Sequence, residues 1–159
     1  MIEVDPRIYY ELVQFQAEYT AVLDAGDWER WPDFFLEQCT YKIQPRENFD
    51  RGLPLATMDF ESRGMLKDRV YGIKETLFHD PYYQRHVLGA TRILRAEGDR
   101  YETETGYAVF RTKLDEYSTV YNVGRYLDAI RRTSDGYRFE SRICVFDSEM
   151  IANSIIYPI

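Results

Sequence analysis

The sequence predicts an α+β fold, in which a strongly curved antiparallel sheet is wrapped by about three helices from the N-terminal half of the chain. Two patterns indicate this fold. Apolar residues recur at helical spacing in the first half, and long β-prone runs follow in the second half. Helices gathered before a run of strands are typical of α+β domains. No Pro- or Gly-rich linker and no internal repeat divides the chain, so residues 1–159 are expected to form one domain.

The first two helices are predicted from their end signals and their spacing. Asp5 can cap a helix that has Pro6 at its first position, and Gly26 can end it. Asp27 can then cap a second, short helix, which tolerates Pro32 near its start. The two helices are expected to form a hairpin with one apolar face. The residues on that face are Ile8, Leu12, Phe15, Tyr19, Val22, Leu23, Trp28, Trp31 and Phe34 or Phe35.

The middle of the chain mixes short elements. Thr40 to Gln44 alternates apolar and polar residues, which predicts a half-buried strand. The charged stretch from Pro45 to Pro54 is typical of a loop, and "LATMDF" after it fits an extended segment. Apolar residues at helical spacing then predict a third helix over about 61–74. These apolar residues are Leu66, Val70, Ile73 and Leu77.

The second half of the chain predicts four long strands joined by short turns. The strands cover about 87–94, 101–114, 117–132 and 137–145, and Ser134-Asp135-Gly136 is a clear hairpin signal. Four successive strands of this kind form an antiparallel meander. The whole order of elements is that of the nuclear-transport-factor-2-like (NTF2-like) cone, in which an N-terminal helix wraps a curved sheet around an interior cavity.

Composition and charge exclude several classes of protein. Hydrophobic residues make up 45% and charged residues 30%, so the chain is expected to be globular rather than disordered. The net charge is −7 and there is no run of Lys or Arg, which argues against nucleic acid or an anionic membrane as a partner. No 18-residue apolar run and no signal-peptide pattern occur, so a cytoplasmic protein is expected. Cys39 and Cys144 are isolated and are expected to be reduced and buried.

Both histidines of the chain lie in "FHDPYYQRH" (78–86), which raises the question of an iron site. Two histidines and a carboxylate can bind a mononuclear non-haem iron. His79 and Asp80 are adjacent, however, and Pro81 favours an extended conformation at Asp80. Nothing therefore forces His79, Asp80 and His86 to converge, and no metal site is expected. His79 is expected in a surface loop with Tyr82 and Tyr83, and His86 at the start of a strand.

An acid–base site in the cone is the other chemistry that this stretch allows. His86 could point into the cavity and act near neutral pH, with Asp147 or Asp59 as its orienting carboxylate. The alternative is that His86 is buried and hydrogen-bonded without a substrate. No dinucleotide or phosphate-binding glycine motif, no CxxC pair and no GxSxG elbow occur, so no cofactor is expected on this chain. The apolar segment "IIYPI" is expected either to fold back on its own sheet or to dock on a partner.

Several blocks in order resemble one family. The blocks are "WERWPDFF", "TYKIQPREN", "MLKDRVYGIKET", "YYQRHVLG", "SRICVFDSEM" and "IIYP". Over nearly the whole chain they resemble the small (β) subunits of aromatic-ring-hydroxylating oxygenases, most of all those of salicylate 5-hydroxylases. Terephthalate dioxygenase small subunits are more distantly similar. Asp68-Arg69 and Arg85-His86 match recurrent family marks.

The resemblance implies the NTF2-like cone and a division of labour between subunits. The large (α) subunit would carry a Rieske [2Fe-2S] cluster and the mononuclear iron, and this chain would bind neither. The two subunits would assemble as α3β3. Electrons from NADH would arrive through a reductase and a ferredoxin, and the complex would hydroxylate an aromatic ring with O₂. This small subunit would stabilise the assembly without being catalytic.

Two hypotheses follow, and they differ in class. As a subunit, the chain should offer interface residues, and Arg46, Arg51, Tyr82, Tyr83 and Tyr157 are predicted from residue type and loop position. As a free-standing NTF2-like (SnoaL-type) isomerase or dehydratase, it would use His86 in the cavity, with Asp147 or Asp59. The subunit is the leading hypothesis.

Overall fold

The architecture is one six-stranded sheet that curves around a helix, as seen in a computed structural model that describes residues 4–150 and 154–159. In chain order the elements are α1 (Pro6–Asp24), a 3-10 helix (Trp28–Phe34), β1 (Phe35–Pro45), α2 (Arg46–Asp50), β2 (Met58–Phe60), α3 (Arg63–Tyr71), a π-helical turn (Gly72–Thr76), β3 (Tyr82–Glu97), β4 (Arg100–Lys113), β5 (Thr119–Thr133) and β6 (Gly136–Phe146). The α+β prediction is confirmed.

Helix α1 begins and ends at the predicted signals. The Asp5 carboxylate accepts a hydrogen bond from the Arg7 backbone N–H at 2.8 Å, and Pro6 occupies the first turn. Gly26 follows with φ of +69°, a conformation that glycine adopts without strain. The buried face of α1 includes polar residues as well as apolar ones, namely Leu12, Gln16, Tyr19, Thr20, Val22 and Leu23.

The strands follow the order β2-β1-β6-β5-β4-β3 across the sheet. β3 to β6 form the predicted antiparallel meander, with Leu88 opposite Tyr107 and Tyr126 opposite Cys144. β1 departs from the prediction of an all-antiparallel sheet, because it pairs with β6 in parallel. The other edge of β1 pairs with β2 in the antiparallel direction.

Local features differ from the prediction in five places. β1 begins at Phe35, five residues before the alternating pattern, and residues 46–50 form a short helix rather than a loop. Tyr82 and Tyr83 belong to β3 and not to the preceding loop. The Asp27 side chain makes no capping bond, and α3 gives way to a π-helical turn at Gly72.

The core lies between α1, the 3-10 helix and the concave face of the sheet. Tyr19 of α1 makes edge contacts with Phe34, Phe35 and Phe139 at centroid distances of 5.4 to 6.3 Å. Cys39 and Cys144 are free and buried, as expected. Within the described ranges, the helices are all too short or too polar to span a bilayer.

Candidate functional site

His86 lies on the concave face of β3, where its side chain is fully enclosed. Its Nδ1 atom is 2.6 Å from Oδ1 of Asp24, the last residue of α1. The His86 backbone N–H also donates to both Asp24 oxygens at 3.1 Å, and Arg85 reaches Oδ2 at 3.4 Å. A carboxylate at a helix C-terminus is disfavoured by the helix dipole, and these donors offset that cost. The pair therefore fastens the end of α1 to the edge strand.

Asp24 replaces the carboxylates that the sequence suggested. Asp147 forms an ion pair with Arg46 at 3.2 Å, and Asp59 pairs with Lys42 at 3.1 Å. Asp59 lies on β2, at the opposite edge of the sheet from His86. This corrects the expectation that Asp147 or Asp59 orients His86. The signal for Asp24 was weak, because an acidic residue in the last turn of an amphipathic helix looks like part of its solvated face.

The remaining ring nitrogen of His86 is buried without a partner. Because the Asp24 carboxylate only accepts hydrogen bonds, Nδ1 of His86 is the donor in this contact. His86 Nε2 has no hydrogen-bond partner, and the side chain has 0% relative exposure. A substrate could reach Nε2 only after the surrounding side chains moved.

The three iron-ligand candidates of 78–86 are held apart by separate contacts. His79 Nε2 bonds to the Tyr157 hydroxyl at 2.7 Å, and Asp80 pairs with Lys113 at 2.9 Å. His86 is bound to Asp24. Among residues 4–150 and 154–159, no three His, Cys, Asp or Glu side chains gather as a metal site would require. Through these contacts, residues 78–86 connect β3 to α1 and to the C-terminal residues 154–159.

The centre of the cone holds a buried ion pair. Arg142 of β6 makes two bonds of 2.8 Å to Asp128 of β5, and both side chains have 0% exposure. Gln16 of α1 donates to Asp128 at 2.7 Å and accepts from Arg142. The guanidinium also lies about 4 Å from the rings of three aromatic residues, Tyr19, Tyr126 and Phe139. Burial disfavours the charge on Arg142, but Asp128 more than offsets this and raises its pKa.

The other hydroxyls of the interior do not titrate near neutral pH. Burial raises the pKa values of Tyr41, Tyr107 and Tyr126 well above the ordinary tyrosine value. Tyr107 stacks on Tyr126 with centroids 4.2 Å apart and donates to Asn122 at 2.7 Å. These hydroxyls stay protonated at neutral pH, and those of Tyr41 and Tyr107 donate hydrogen bonds in the packing, whereas the Tyr126 hydroxyl has no partner among the described residues.

The C-terminal segment, residues 154–159, closes the interior. Ile155, Tyr157 and Ile159 are buried, and the Ile159 main-chain oxygen accepts from the Tyr19 and Tyr41 hydroxyls at 3.2 and 3.0 Å. Of the two fates left open for the apolar tail, the structure shows the one in which it folds back on its own sheet.

The convex face of the sheet carries an exposed apolar area, the β3–β5 patch. Val87, Ala108 and Val123 lie directly opposite one another on three neighbouring strands, and Phe110 pairs with Val120 beside them. Tyr83 extends the patch along β3 and is 79% exposed, and Val120 is 65% exposed. Arg85 lies between Tyr83 and Val87 on the same strand, so the patch surrounds one charged residue. Exposed apolar side chains grouped in this way are typical of a protein–protein contact surface.

The predicted interface residues occupy different environments. Arg46 and Arg51 are exposed at the two ends of α2, and Arg51 pairs with Glu47 at 2.8 Å. Tyr83 belongs to the β3–β5 patch. Tyr82 and Tyr157 pack against each other with centroids 4.5 Å apart, inside the chain's own fold. The role of all five at an interface stays a prediction.

Known proteins match this chain over nearly its full length. Residues 7–143 match the model of the SnoaL-like domain. The anthranilate 1,2-dioxygenase small subunit of Burkholderia cepacia is 32% identical over 98% of this chain and 96% of its own length. The chain belongs to the SnoaL-like domain family and, within it, to the small subunits of aromatic-ring-hydroxylating dioxygenases. The family resemblance drawn from the sequence blocks is therefore confirmed.

Two further relatives agree with this family. The beta 2 subunit of the Comamonas terephthalate 1,2-dioxygenase oxygenase component is 28% identical over 94% of this chain and 97% of its own length. A crystal structure described as the beta subunit of an aromatic-ring-hydroxylating dioxygenase, from Novosphingobium aromaticivorans, superimposes with a TM-score of 0.88. It is 35% identical, and the match covers 98% of both chains. The fold of this chain is therefore that of the SnoaL-like small subunits over nearly its whole length.

Proposed function

We propose that this chain is a non-catalytic small subunit, which stabilises the iron-bearing large subunit of an aromatic-ring-hydroxylating oxygenase. The observation that carries the proposal is the full-length similarity to small subunits of such dioxygenases. The buried ion pair supports it, because at the centre of the cone Arg142, Asp128 and Gln16 bind one another.

The large subunit would carry the Rieske [2Fe-2S] cluster and the mononuclear iron. The residues of this chain do not fit either group, since its two cysteines are isolated and its two histidines already bind Tyr157 and Asp24. Burial raises the pKa of the Cys144 thiol to about 12, which disfavours the thiolate that an iron–sulfur cluster requires. Electrons would come from NADH through a reductase and a ferredoxin, and the assembly would be α3β3.

The ring substrate would be an aromatic carboxylic acid. The relatives named for anthranilate and terephthalate act on benzoic-acid derivatives. Salicylate belongs to the same chemical class, and hydroxylation at carbon 5 would give gentisate. The choice among these acids depends on the large subunit, where the reacting ring would lie.

The β3–β5 patch is the surface proposed for contact with the large subunit. It combines an exposed tyrosine with aliphatic side chains on the rigid outer face of three strands. Tyrosine is enriched in the energetic centres of interfaces, and a stable interface needs about 800 Å² from each partner. Arg46 and Arg51 beside α2 are proposed as part of the polar rim.

Co-expression tests this proposal. A tagged copy of this chain, expressed with the large subunit of a benzoate-type ring-hydroxylating oxygenase, should purify as one complex containing iron and acid-labile sulfide. The same chain expressed alone should be folded and should contain no stoichiometric iron. Failure to form a complex with several such large subunits, while both chains are folded, would contradict the proposal.

The free-standing isomerase or dehydratase remains the second candidate. The observation that favours it is the His86–Asp24 pair, in which a carboxylate orients an imidazole inside the cone. Turnover of a small carbonyl or hydroxy substrate by the lone chain, lost in His86→Asn, would support it. Asn places an amide N–H near the Nδ1 position and keeps the bond to Asp24, so a loss of turnover would report on the chemistry of His86.

A further inference from the structure

The C-terminal segment lies inside the cone as a bound peptide would. Four of its six residues, Ile155, Tyr157, Pro158 and Ile159, are buried, and Ile159 has 0% exposure. Pro158 fixes its own φ angle and disfavours a helical conformation at Tyr157, where the segment bends. An apolar, non-helical peptide thus fills the space between α1, β1, α3 and β3.

The backbone of the segment is held at five of its main-chain oxygens. Arg69 of α3 donates to two of them at 2.7 to 3.2 Å, and Gln84 of β3 donates to a third at 3.0 Å. Tyr41 of β1 both donates to the fourth and accepts from the amide of the same residue, at 3.0 and 2.9 Å, and Tyr121 of β5 donates to the fifth at 2.8 Å. In this order, the oxygens belong to Ile155 and Ile156, Pro158, Ile159 and Ser154. Burying unpaired carbonyls would be costly, so these donors are what permits a peptide here.

The Tyr157 side chain of the segment lies in a slot formed by aromatic rings. Tyr157 stacks on Trp28 at 4.6 Å and packs on Tyr82 at 4.5 Å. Its hydroxyl bonds to His79 Nε2 at 2.7 Å. An aromatic ring with a polar tip is required to satisfy both the stack and the hydrogen bond, so the slot selects tyrosine.

The groups that hold the segment all lie in the body of the fold, outside residues 154–159. They come from α1, the 3-10 helix, β1, α3, the loop after the π-helical turn, β3, β5 and β6. We propose that the cone interior is a sequence-selective peptide-binding site, occupied by the chain's own 154–159 segment and able to accept the same segment in trans, as a free peptide or from a second copy. On this proposal, the covalent link to the rest of the chain only raises the effective concentration of the segment at the site. The contacts with the cone interior supply all of the recognition.

Cleavage followed by exchange tests the site in the intact fold. A protease recognition sequence inserted between Glu149 and Met150, where Met150 is exposed, allows the chain to be cut after folding. The cut protein is then incubated with a fluorescent peptide that spans residues 154–159. The matched control is the same peptide with Tyr157→Ala, which lacks the ring for the slot. Peptide binding is followed by fluorescence anisotropy and gel filtration.

We expect the cut segment to stay associated through gel filtration and to exchange with the labelled peptide. The Tyr157→Ala peptide should bind at least about tenfold more weakly, as expected when a buried aromatic anchor is lost. In a cut chain carrying Arg69→Leu, binding of the unmodified peptide should fall as well.

Three results would overturn the proposal. In the first, the cut chain stays folded, releases the segment and shows no saturable binding of the peptide. In the second, cutting unfolds the chain and added peptide does not restore its thermal transition. Equal binding of the two peptides would also overturn it, because the slot would then not select tyrosine.

Discussion

The buried pair of Arg142 and Asp128 gives the sharpest stability prediction. Removing one partner leaves an uncompensated charge at a site with 0% exposure, which typically costs about 3–5 kcal/mol. For a chain of this length, that corresponds to a fall in melting temperature of about 6–20 °C. Asp128→Leu and Arg142→Met should therefore each be strongly destabilising.

The combined replacement should recover most of this loss. With both charges gone, only the amide of Gln16 is left unpaired, and Gln16→Leu removes that cost as well. The triple variant Gln16→Leu/Asp128→Leu/Arg142→Met should lie within about 1–2 kcal/mol of the parent, because apolar side chains of similar volume replace buried ion pairs without much loss.

Urea unfolding measured by far-UV circular dichroism and tryptophan fluorescence gives the free energies. The exposed pair Arg30 and Glu18, 2.9 Å apart, is the control, and its double-mutant cycle should show coupling close to zero. The reasoning is refuted if the single replacements at Asp128 and Arg142 cost less than about 1 kcal/mol. It is also refuted if the triple variant loses as much as the singles summed.

Three further predictions concern packing, thiol reactivity and assembly. Gly124→Ala should destabilise the chain by at least about 2 kcal/mol, because the added Cβ would overlap the backbone of β6. The control Gly106→Ala should not destabilise it, because no atom lies near the position of the added Cβ. Equal melting temperatures of the two variants would contradict this prediction. Burial raises the pKa of the Cys144 thiol to about 12. At pH 8, iodoacetamide should therefore alkylate Cys144 about a thousandfold more slowly in the native chain than in urea. Rapid labelling of Cys144 in the native chain, detected by mass spectrometry, would contradict this prediction. Val120→Glu in the β3–β5 patch should weaken assembly with the large subunit at least about tenfold in pull-down titrations. The control Tyr10→Glu, on the exposed side of α1, should leave assembly unchanged. Equal effects of the two substitutions would show that the patch is not part of the interface.

Local signals in the sequence predicted most of the secondary structure. The Asp5-Pro6 start and the helical spacing place α1 correctly, and the hairpin turn at 134–136 places the last two strands. These features depend on neighbouring residues, which a single sequence displays directly. The family blocks added the cone and the subunit class, which the full-length relatives confirm.

The site could not be predicted in the same way, because its contacts join residues far apart in the chain. Asp24 meets His86 across 62 positions, and Gln16 meets Arg142 across 126. Each of these polar residues looks solvent-facing in its own element, since burial of a charge depends on a partner that the local pattern does not show. The sequence marks Arg69 only through the family resemblance, because its contact with the C-terminal segment spans 87 positions.

The central claim is that this chain supplies structure to an oxygenase and not its chemistry. Single-turnover hydroxylation of salicylate or a related aromatic acid by the purified complex tests it most directly, with product counted per iron. The complex carrying His86→Asn, which retains a donor to Asp24, is compared with the parent at equal assembly measured by gel filtration. We expect the same rate per assembled iron in both, and no turnover by the chain alone. A fall of more than about tenfold in the assembled variant, equivalent to about 1.4 kcal/mol of barrier, would contradict the claim and place His86 in the reaction.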